Sequence, residues 1–257
     1  DERGIKVGEG SKLLFGGEDI LAMDAKALLD LRRRKISMIS QSPMAALNPV
    51  FTIGQQMMDV LKYSGQFDKH DKKGMLDAAR KAIDSVMIPD PDRILNSYPH
   101  QLSGGMRQRI CIATSLLTPR QLLIADEPGT ALDVTVQRSL IMITHSLGVV
   151  RELVDRIYVM YAGNIVENCD TAELFKNPLH PYTKALIAAI PIPDPKVPMN
   201  RITMKGEITS PINPEKGCRF AKRCPYATDA CRQQDMVLTE QEPGHFVTCL
   251  RVQRGEI

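Results

Sequence analysis

The chain has 257 residues, of which 43% are hydrophobic and 25% are charged, and this composition excludes a disordered or fibrous protein. The net charge of +3 and the single basic run at residues 32–35, which fits a solvated helix end, give no reason to expect a nucleic-acid partner. Because no apolar stretch approaches the roughly 18 residues that span a bilayer, and because the acidic start is no secretion signal, we expect a cytosolic chain unless a partner holds it at a membrane.

The first half of the chain predicts a short mixed segment followed by helices. Apolar runs predict strands at KLLF and ISMIS, with an amphipathic helix between them. From about residue 44 to 117, apolar residues recur at spacings of three and four, which predicts a mostly helical block without a clear strand. Turn signals in IPDPDR and NSYPHQ separate the helices of this block.

Two apolar runs of strand length follow the helical block. QLLIADEP ends in two carboxylates, as a buried parallel strand does at the edge of its sheet, and SLIMITHS comes soon after it. Parallel strands need a crossover of about a dozen residues or more, usually with a helix, and only about 13 residues separate Asp126 from Leu140. Either this connection is unusual or residues are missing here.

The last third of the chain predicts a hairpin, a helix and an irregular tail. RIYVMYAGNIVE predicts a hairpin that turns at residues 162–164, and PYTKALIAAI predicts a helix. Four prolines between residues 191 and 198 predict an extended connector, and a cysteine-rich tail begins after Pro214.

The most specific stretch is LSGGMRQRICIATSLL at residues 102–117. Ser103 caps a predicted helix whose two glycines leave the first backbone N–H groups unhindered, and the helix dipole favours a phosphate there. In the strand that follows, Asp126 suits a magnesium ion, and Glu127 can accept a proton from an attacking water. A glycine-softened helix start and a solvated acidic turn are the alternatives, but neither explains this succession of helix and apolar strand.

Together these motifs resemble the nucleotide-binding subunits of ABC transporters over nearly the whole chain. LSGGMRQR is similar to the family signature, LLIADEP to the Walker B strand, ALD at residues 131–133 to the D-loop, Gln41 to the Q-loop glutamine and His145 to the switch histidine. ALNPVFTIG, SYPHQLSGGMRQR, MYAGNIVE and NPLHPYTKALIAAIP further resemble the oligopeptide/dipeptide permease group, which includes nickel importers. The resemblance implies an α/β fold, with a RecA-like core and a helical subdomain at about 44–117.

The resemblance also implies a mechanism in which two such subunits close face to face on ATP and Mg²⁺. Glu127 and His145 would be catalytic, and Asp126 and Gln41 would serve Mg²⁺. The residues implied to bind nucleotide are Gln41, Ser103, Gly104, Gly105, Gln108 and Asp133. The implied partners are a second ABC ATPase, identical or different, two integral membrane permease subunits and, indirectly, an extracytoplasmic substrate-binding protein, at the cytoplasmic face of the membrane.

VGEGSKLL at residues 7–14 departs from the family pattern. The family continues from VGE into the glycines, lysine and Ser/Thr of a phosphate loop and then a helix, whereas here Lys12 follows a serine and Leu13 stands where the hydroxyl should be. We expect a phosphate loop to be missing near residues 8–12, and a helix near 137–140. The rival explanation is a degenerate subunit, and a Gly-Lys-Ser/Thr sequence in the full gene would separate the two.

The tail carries four cysteines at spacings of five, six and 17 residues: Cys218, Cys224, Cys231 and Cys249. Disulfides are not expected in a cytosolic chain, and zinc ribbons favour closer pairs. A four-cysteine iron–sulfur cluster tolerates wider loops. The tail also resembles the C-terminal extension of dipeptide-permease ATPases, some of which carry a [4Fe-4S] cluster. We expect such a cluster in a structural role, with zinc or unliganded thiols as alternatives.

The expected organisation is an ABC nucleotide-binding domain at residues 1–190, then a proline-rich connector and a four-cysteine regulatory or structural domain at 191–257. The expected function is ATP hydrolysis that powers import of dipeptides or oligopeptides. A non-hydrolysing subunit that completes a partner's ATP site and a nickel-importer ATPase are the alternatives. A DNA-repair ATPase is disfavoured because the chain has no long heptad segment or basic stripe. Structural roles are expected for Cys111, Cys169, His100 and His180.

Overall fold

The computed structural model describes residues 7–128, 139–191, 204, 206–210 and 212–257. The chain divides into two compact units, residues 1–144 and 145–257, and each unit has its own cluster of buried apolar side chains. The expected domain boundary at residue 190 stays a prediction. Within the described ranges, no helix combines the length and the apolar character that a membrane crossing requires.

The described part of the first unit contains six α-helices. They are α1 (Ala25–Arg34), α2 (Pro43–Ala46), α3 (Ile53–Ser64), α4 (Lys72–Ser85), α5 (Pro91–Leu95) and α6 (Gly104–Leu116). Local capping sets several of their starts: Thr52 and Gln55 form a reciprocal capping box at α3, and Ser103 Oγ accepts a hydrogen bond from Met106 N at 3.3 Å at the start of α6. The predicted helical block is confirmed, and its described residues contain no strand.

The expected turn at IPDPDR is wrong in part, because its last three residues and the two residues that follow form α5. Pro91 takes the first helical position, where its missing N–H costs no hydrogen bond. Asp90 caps the helix, and its carboxylate accepts a hydrogen bond from Arg93 N at 3.2 Å. The same proline and aspartate that signal a turn therefore also start a short helix.

The first unit contains one two-stranded hairpin and one parallel sheet. The hairpin pairs β1 (Leu14–Phe15) with β2 (Glu18–Asp19), and the sheet contains β3 (Ile36–Ile39), β4 (Leu122–Asp126) and β5 (Ser139–Ile143) in the order β3-β4-β5. Both pairings in the sheet are parallel, which confirms the prediction for β4 and β5. All three carboxyl ends therefore reach the same edge of the sheet. We expect a helix to be missing near residues 137–140. Residues 137 and 138 lie outside the described residues, and residues 139 and 140 belong to β5.

A core mutation in α6 tests how far this packing supports the unit. Ile110 is 0% exposed, and Ile141 in β5 is 51% exposed. We expect Ile110→Ala to lower the free energy of unfolding by about 2–5 kcal/mol, because it removes buried methyl groups and leaves a cavity. Ile141→Ala is the matched control, with an expected loss near 0.5 kcal/mol. Urea titration of both variants checks the prediction, and equal losses would contradict it.

The second unit is built on an antiparallel sheet. Its strands are β6 (Arg156–Tyr161), β7 (Asn164–Asp170), β8 (Thr239–Glu242) and β9 (His245–Val247), in the order β6-β7-β9-β8. Its helices are α7 (Leu147–Leu153), α8 (Thr171–Lys176), α9 (Pro181–Ala188), α10 (Ala230–Gln233) and α11 (Leu250–Gln253). The predicted hairpin is confirmed, and it turns through Ala162 and Gly163 with φ of +46° and +86°. The helix expected at PYTKALIAAI is confirmed as α9.

Sequence reasoning did not predict that strands of the tail join this sheet. β9 pairs with the hairpin strand β7, and Phe220 of the tail is 1% exposed. The Phe220 ring lies 5.2 Å from the Tyr161 ring and 5.4 Å from the Tyr182 ring, between centroids. The tail therefore gains a core by sharing the apolar side chains of the hairpin and of α9.

Three of the four residues expected to have structural roles are buried, and His100 is exposed. Cys111 and Cys169 are buried free thiols, and His100 stacks on Tyr98 with the ring centroids 5.6 Å apart. Burial, helped by Lys184, lowers the pKa of His180 to about 4, so its imidazole is neutral at pH 7. Its Nδ1 atom then accepts a hydrogen bond from Tyr182 N at 3.0 Å.

Candidate active site

The carboxyl edge of the parallel sheet brings together polar side chains that are far apart in the sequence. Asp126 ends β4 and Glu127 follows it, while Gln41 comes two residues after β3. Gln41 Nε2 donates a hydrogen bond to Glu127 Oε2 at 3.1 Å, across 86 residues of sequence. Ligands of open parallel sheets bind at this kind of edge.

The backbone at Glu127 is unusual for a residue with a side chain. Its φ is +45°, a left-handed conformation that costs about 1–2 kcal/mol for a residue other than glycine. Its N–H donates to Ile143 O at 2.8 Å, so the end of β5 helps to hold the conformation. Strain of this kind clusters at active sites, where surrounding structure holds a side chain in one place.

The donor atoms at this edge fit a hard cation. The side chains of Asp126, Glu127 and Gln41 supply carboxylate and amide oxygens, which Mg²⁺ prefers. Asp126 and Glu127 are half-buried and Gln41 is exposed, so a nucleotide could reach them from solvent. The arrangement can therefore hold Mg²⁺ and orient a water molecule beside a carboxylate.

The start of α6 is open to a ligand. Gly104 and Gly105 are its first two residues, and a Cβ atom added at either would meet no other atom within 4 Å. The two glycines thus have open space beside them at the positive end of a 13-residue helix, where backbone N–H groups favour an anion. Gln108 of the same helix donates from Nε2 to Pro128 O at 2.9 Å, which ties α6 to the residue after Glu127.

Two further predicted site residues are Asp133 and His145. Asp133 falls outside the described residues. His145 is the first residue of the second unit, directly before Ser146, which is the N-cap residue of α7. Near the expected phosphate loop, residues 7–13 are exposed, and Ser11 N donates to Gly8 O at 3.1 Å in a turn that begins no helix.

The four tail cysteines surround one small cavity in the second unit. It has a volume of about 20 Å³, and its lining includes Cys218, Cys224, Cys231, Cys249, Phe220 and Met236. Backbone hydrogen bonds fold the loops around it: Cys218 N donates to Cys231 O at 2.7 Å, and Cys224 N donates to Phe220 O at 3.0 Å. Burial, with a smaller effect from the other three cysteines, raises the pKa of Cys218 to about 11. Burial also raises the pKa of Cys224 and of Cys249.

The spacing of these sulfur atoms is wider than a zinc ion needs. Zn–S bonds of about 2.3 Å place the sulfurs of a tetrahedral site about 4 Å apart. Within the described part of the chain, no three of the four sulfurs lie within 4.8 Å of one another. Four thiols that line one cavity are a donor set for a thiolate-bound metal centre.

Sequence reasoning missed a buried polar pair in the second unit. Glu167 is 0% exposed and His245 is 1% exposed, and Glu167 Oε1 lies 2.8 Å from His245 Nε2. The signal that could have indicated the pair is the position of Glu167 in the middle of the strand segment NIVENCD. The structure buries residues 166–169 of this strand, so the charged side chain needs a partner there.

Two families match the chain. The family described as ABC transporter matches residues 7–130, and the family described as the C-terminal region of oligopeptide/dipeptide transporters matches residues 166–231. The dimeric, post-hydrolysis structure of the ATP-binding cassette MJ0796 with ADP and phosphate is similar, with a TM-score of 0.54 and 22% identity over 61% of this chain and 72% of that chain. The parallel sheet, its acidic edge and these matches define an ATP-binding cassette protein.

Curated relatives place the chain more narrowly. The probable peptide ABC transporter ATP-binding protein of Sinorhizobium fredii is 40% identical, over 94% of this chain and 76% of its own length. The oligopeptide transport ATP-binding proteins AppD of Bacillus subtilis and OppF of Salmonella typhimurium are each 40% identical, over 96% of this chain and 80% and 77% of their own lengths. The chain belongs to the ABC transporter ATP-binding proteins, in the oligopeptide/dipeptide group.

The alignment with AppD also bears on the expected missing residues. It extends over 267 positions, although this chain has only 257 residues in total. The relative therefore has residues inside the aligned region that this chain lacks.

Proposed function

We propose that this chain hydrolyses ATP to power the import of peptides through a membrane permease. The observation that carries the proposal is the hydrogen bond between Gln41 and Glu127, because it joins a candidate sensor and a candidate base at the acidic edge of the sheet. Relatives named as peptide or oligopeptide ATP-binding proteins support the peptide cargo over nickel.

The proposed chemistry depends on position and charge. Glu127 polarises the attacking water and accepts its proton, and its strained backbone and its bond to Gln41 fix the direction of the carboxylate. Asp126 and Gln41 hold Mg²⁺, which when bound neutralises charge on the phosphates. Gln41 lies between the sheet edge and the helical block, so it can report nucleotide to that block, which we propose contacts the permease.

The open start of α6 supports a role on a partner's nucleotide. Ser103 caps the helix, and open space surrounds Gly104 and Gly105 at its N-terminus, as a phosphate contact across an interface requires. We assign Asp133 and His145 to the same closed dimer, with His145 steadying the γ-phosphate.

The proposed assembly comprises this chain, a second ATPase and two membrane subunits, and a substrate-binding protein supplies it with peptide. In this assembly the chain lies peripherally at the cytoplasmic face of the membrane.

The phosphate loop expected to be missing near residues 8–12 decides between a hydrolysing subunit and a non-hydrolysing regulatory subunit. A chain without a phosphate-loop lysine could complete a partner's site but could hardly hydrolyse ATP in its own. The extra aligned positions in AppD support the view that the natural chain has a loop this sequence lacks. We therefore favour the hydrolysing subunit over the regulatory one.

For the tail we propose a [4Fe-4S] cluster bound by Cys218, Cys224, Cys231 and Cys249. The four cysteines that line one cavity support the proposal, because four cysteine thiolates hold clusters of this kind. When bound, the cluster cross-links four points of a segment that has few apolar residues of its own. Its role is structural, and we propose that the tail forms a domain at 191–257 beside a nucleotide-binding domain at 1–190.

Reconstitution of the whole transporter tests the proposed function. In proteoliposomes with the permease, the second ATPase and the binding protein, we expect di- or oligopeptides to raise the rate of ATP hydrolysis and to accumulate inside. Nickel salts serve as the matched control cargo and should do neither. Stimulation by nickel, or peptide transport that persists without this chain, would overturn the proposal.

A further inference from the structure

The buried histidine of β9 has one ring nitrogen in use and one without a partner in the part of the chain that the structure describes. His245 Nε2 lies 2.8 Å from Glu167 Oε1. The Glu167 carboxylate also accepts hydrogen bonds from Leu179 N at 2.7 Å and from His180 N at 2.9 Å. Glu167 is thus an acceptor throughout, so Nε2 donates the hydrogen of the pair, and an imidazole with a single hydrogen then has its lone pair on Nδ1.

The Nδ1 atom of His245 is buried and has no hydrogen-bond partner among the described residues. An acceptor that is buried without a donor costs free energy, so its surroundings should contain whatever normally satisfies it. Carboxylate oxygens of Glu173 in α8 and Glu242 in β8 lie within 4.8 Å of each other and of the imidazole. Since Nε2 is committed to Glu167, Nδ1 is the nitrogen available to this pair.

Two polar side chains also contact the two carboxylates. Asn177 Nδ2 lies 3.3 Å and 3.5 Å from the two oxygens of Glu242, and Lys176 Nζ lies 4.0 Å from Glu173 Oε2. Carboxylate oxygens cannot donate a hydrogen to Nδ1. A positive charge between the three groups would satisfy all of them at once.

We infer that His245 Nδ1, Glu173 and Glu242 bind a divalent transition-metal cation. One imidazole nitrogen and two carboxylates are ligands that zinc, cobalt and their neighbours accept. Glu167 would orient the imidazole from the far side, as carboxylates behind metal-bound histidines commonly do. Glu242 is exposed and the Glu173 side chain is 34% exposed, so the ion can enter from solvent and keep water ligands.

A second grouping of possible ligands is less suitable. Cys169, Glu167 and His245 also lie within 4.8 Å of one another, and all three are buried. Both Glu167 oxygens are already occupied by hydrogen bonds. Burial, together with the nearby charges of Glu167 and Glu173, raises the pKa of Cys169 to about 12, so its thiol stays protonated. The outer trio is the better site, and the inner carboxylate supports it.

The inferred site would connect separate parts of the second unit. Glu173 lies in α8, directly after the hairpin, whereas Glu242 and His245 belong to the tail strands. A bound ion would add a cross-link between the tail and the hairpin, at a place distinct from the four cysteines.

Titration of the full-length chain with Co²⁺ tests the inference. The absorption spectrum of bound cobalt distinguishes the four-cysteine site from the inferred site of His245, Glu173 and Glu242. Thiolate ligands give intense charge-transfer bands, and nitrogen and oxygen ligands give only weak d–d bands. We expect the wild-type chain to bind one Co²⁺ with the spectrum of nitrogen and oxygen ligands. Glu173→Gln and Glu242→Gln should each weaken this binding at least tenfold, and neither change touches the buried core.

Glu215→Gln is the matched control, because Glu215 is an exposed glutamate of the same unit that pairs with Lys222 at 3.1 Å. Its cobalt affinity should equal that of the wild type. Absence of a nitrogen and oxygen spectrum in the wild type would overturn the inference. Equal cobalt affinity in the wild type and in both site variants would also overturn it. In that case a hydrogen on Nδ1 would donate to the carboxylates in place of a metal ion.

Discussion

Glu127→Gln in the natural full-length chain should lower the rate of ATP hydrolysis by about 10²–10⁴-fold, the usual contribution of a general base. Glutamine has the same shape as glutamate but cannot accept the proton of the attacking water. The hydrogen bond from Gln41, now 3.1 Å, can still reach an amide oxygen, so the site should keep its geometry. ATP binding should therefore persist, and phosphate release by the assembled transporter measures the loss.

The control for this prediction is Glu18→Gln, which alters an exposed carboxylate in β2, outside the parallel sheet. It should hydrolyse ATP at the wild-type rate. If Glu127→Gln kept more than a tenth of the activity, Glu127 would not be the base. If the wild-type subunit showed no hydrolysis of its own while its partner did, the non-hydrolysing alternative would replace the proposal.

Cys224→Ser should remove the proposed cluster and destabilise the second unit. Serine is a poor ligand for iron, so we expect the visible absorption and most of the four iron atoms per chain to be lost. We also expect the free energy of unfolding to fall by at least about 3 kcal/mol, because the cluster connects loops that have few apolar contacts of their own. Anaerobic purification, iron analysis and urea titration measure the three effects.

Cys111→Ser is the matched control, since it removes a buried thiol from α6 in the first unit, far along the sequence from the tail. It should cost some stability but leave the iron content unchanged. Full iron content in Cys224→Ser would show that this cysteine is not a ligand. Zinc in place of iron in the wild type would show that the sulfurs close on a smaller ion than their spacing suggests.

The local features of the first unit could be predicted because local chemistry decides them. The run LLIADEP indicates a buried strand that ends in carboxylates, and the structure forms β4 at Leu122–Asp126. The sequence LSGG likewise predicts a capped helix, and α6 begins at Gly104 with Ser103 as its cap. The partial error at IPDPDR has a local cause too, because proline and aspartate favour both turns and helix starts.

Other features depend on which distant segments meet. No local pattern indicates that β9 of the tail pairs with β7 of the hairpin, because strand pairing depends on edges that become available only in the folded unit. The surroundings of His245 also depend on distant segments. Its ring lies near Glu167, Glu173 and Glu242, which come from separate parts of the chain.

The sequence by itself determined the class of protein, through the resemblance of its short motifs, and the order of those motifs, because a motif is a property of neighbouring residues. Only the tertiary structure decided that Gln41 touches Glu127, that four cysteines surround one cavity and that a buried histidine faces two carboxylates. The physical reason is that these contacts join residues tens of positions apart, and packing of the whole unit sets the distances between them.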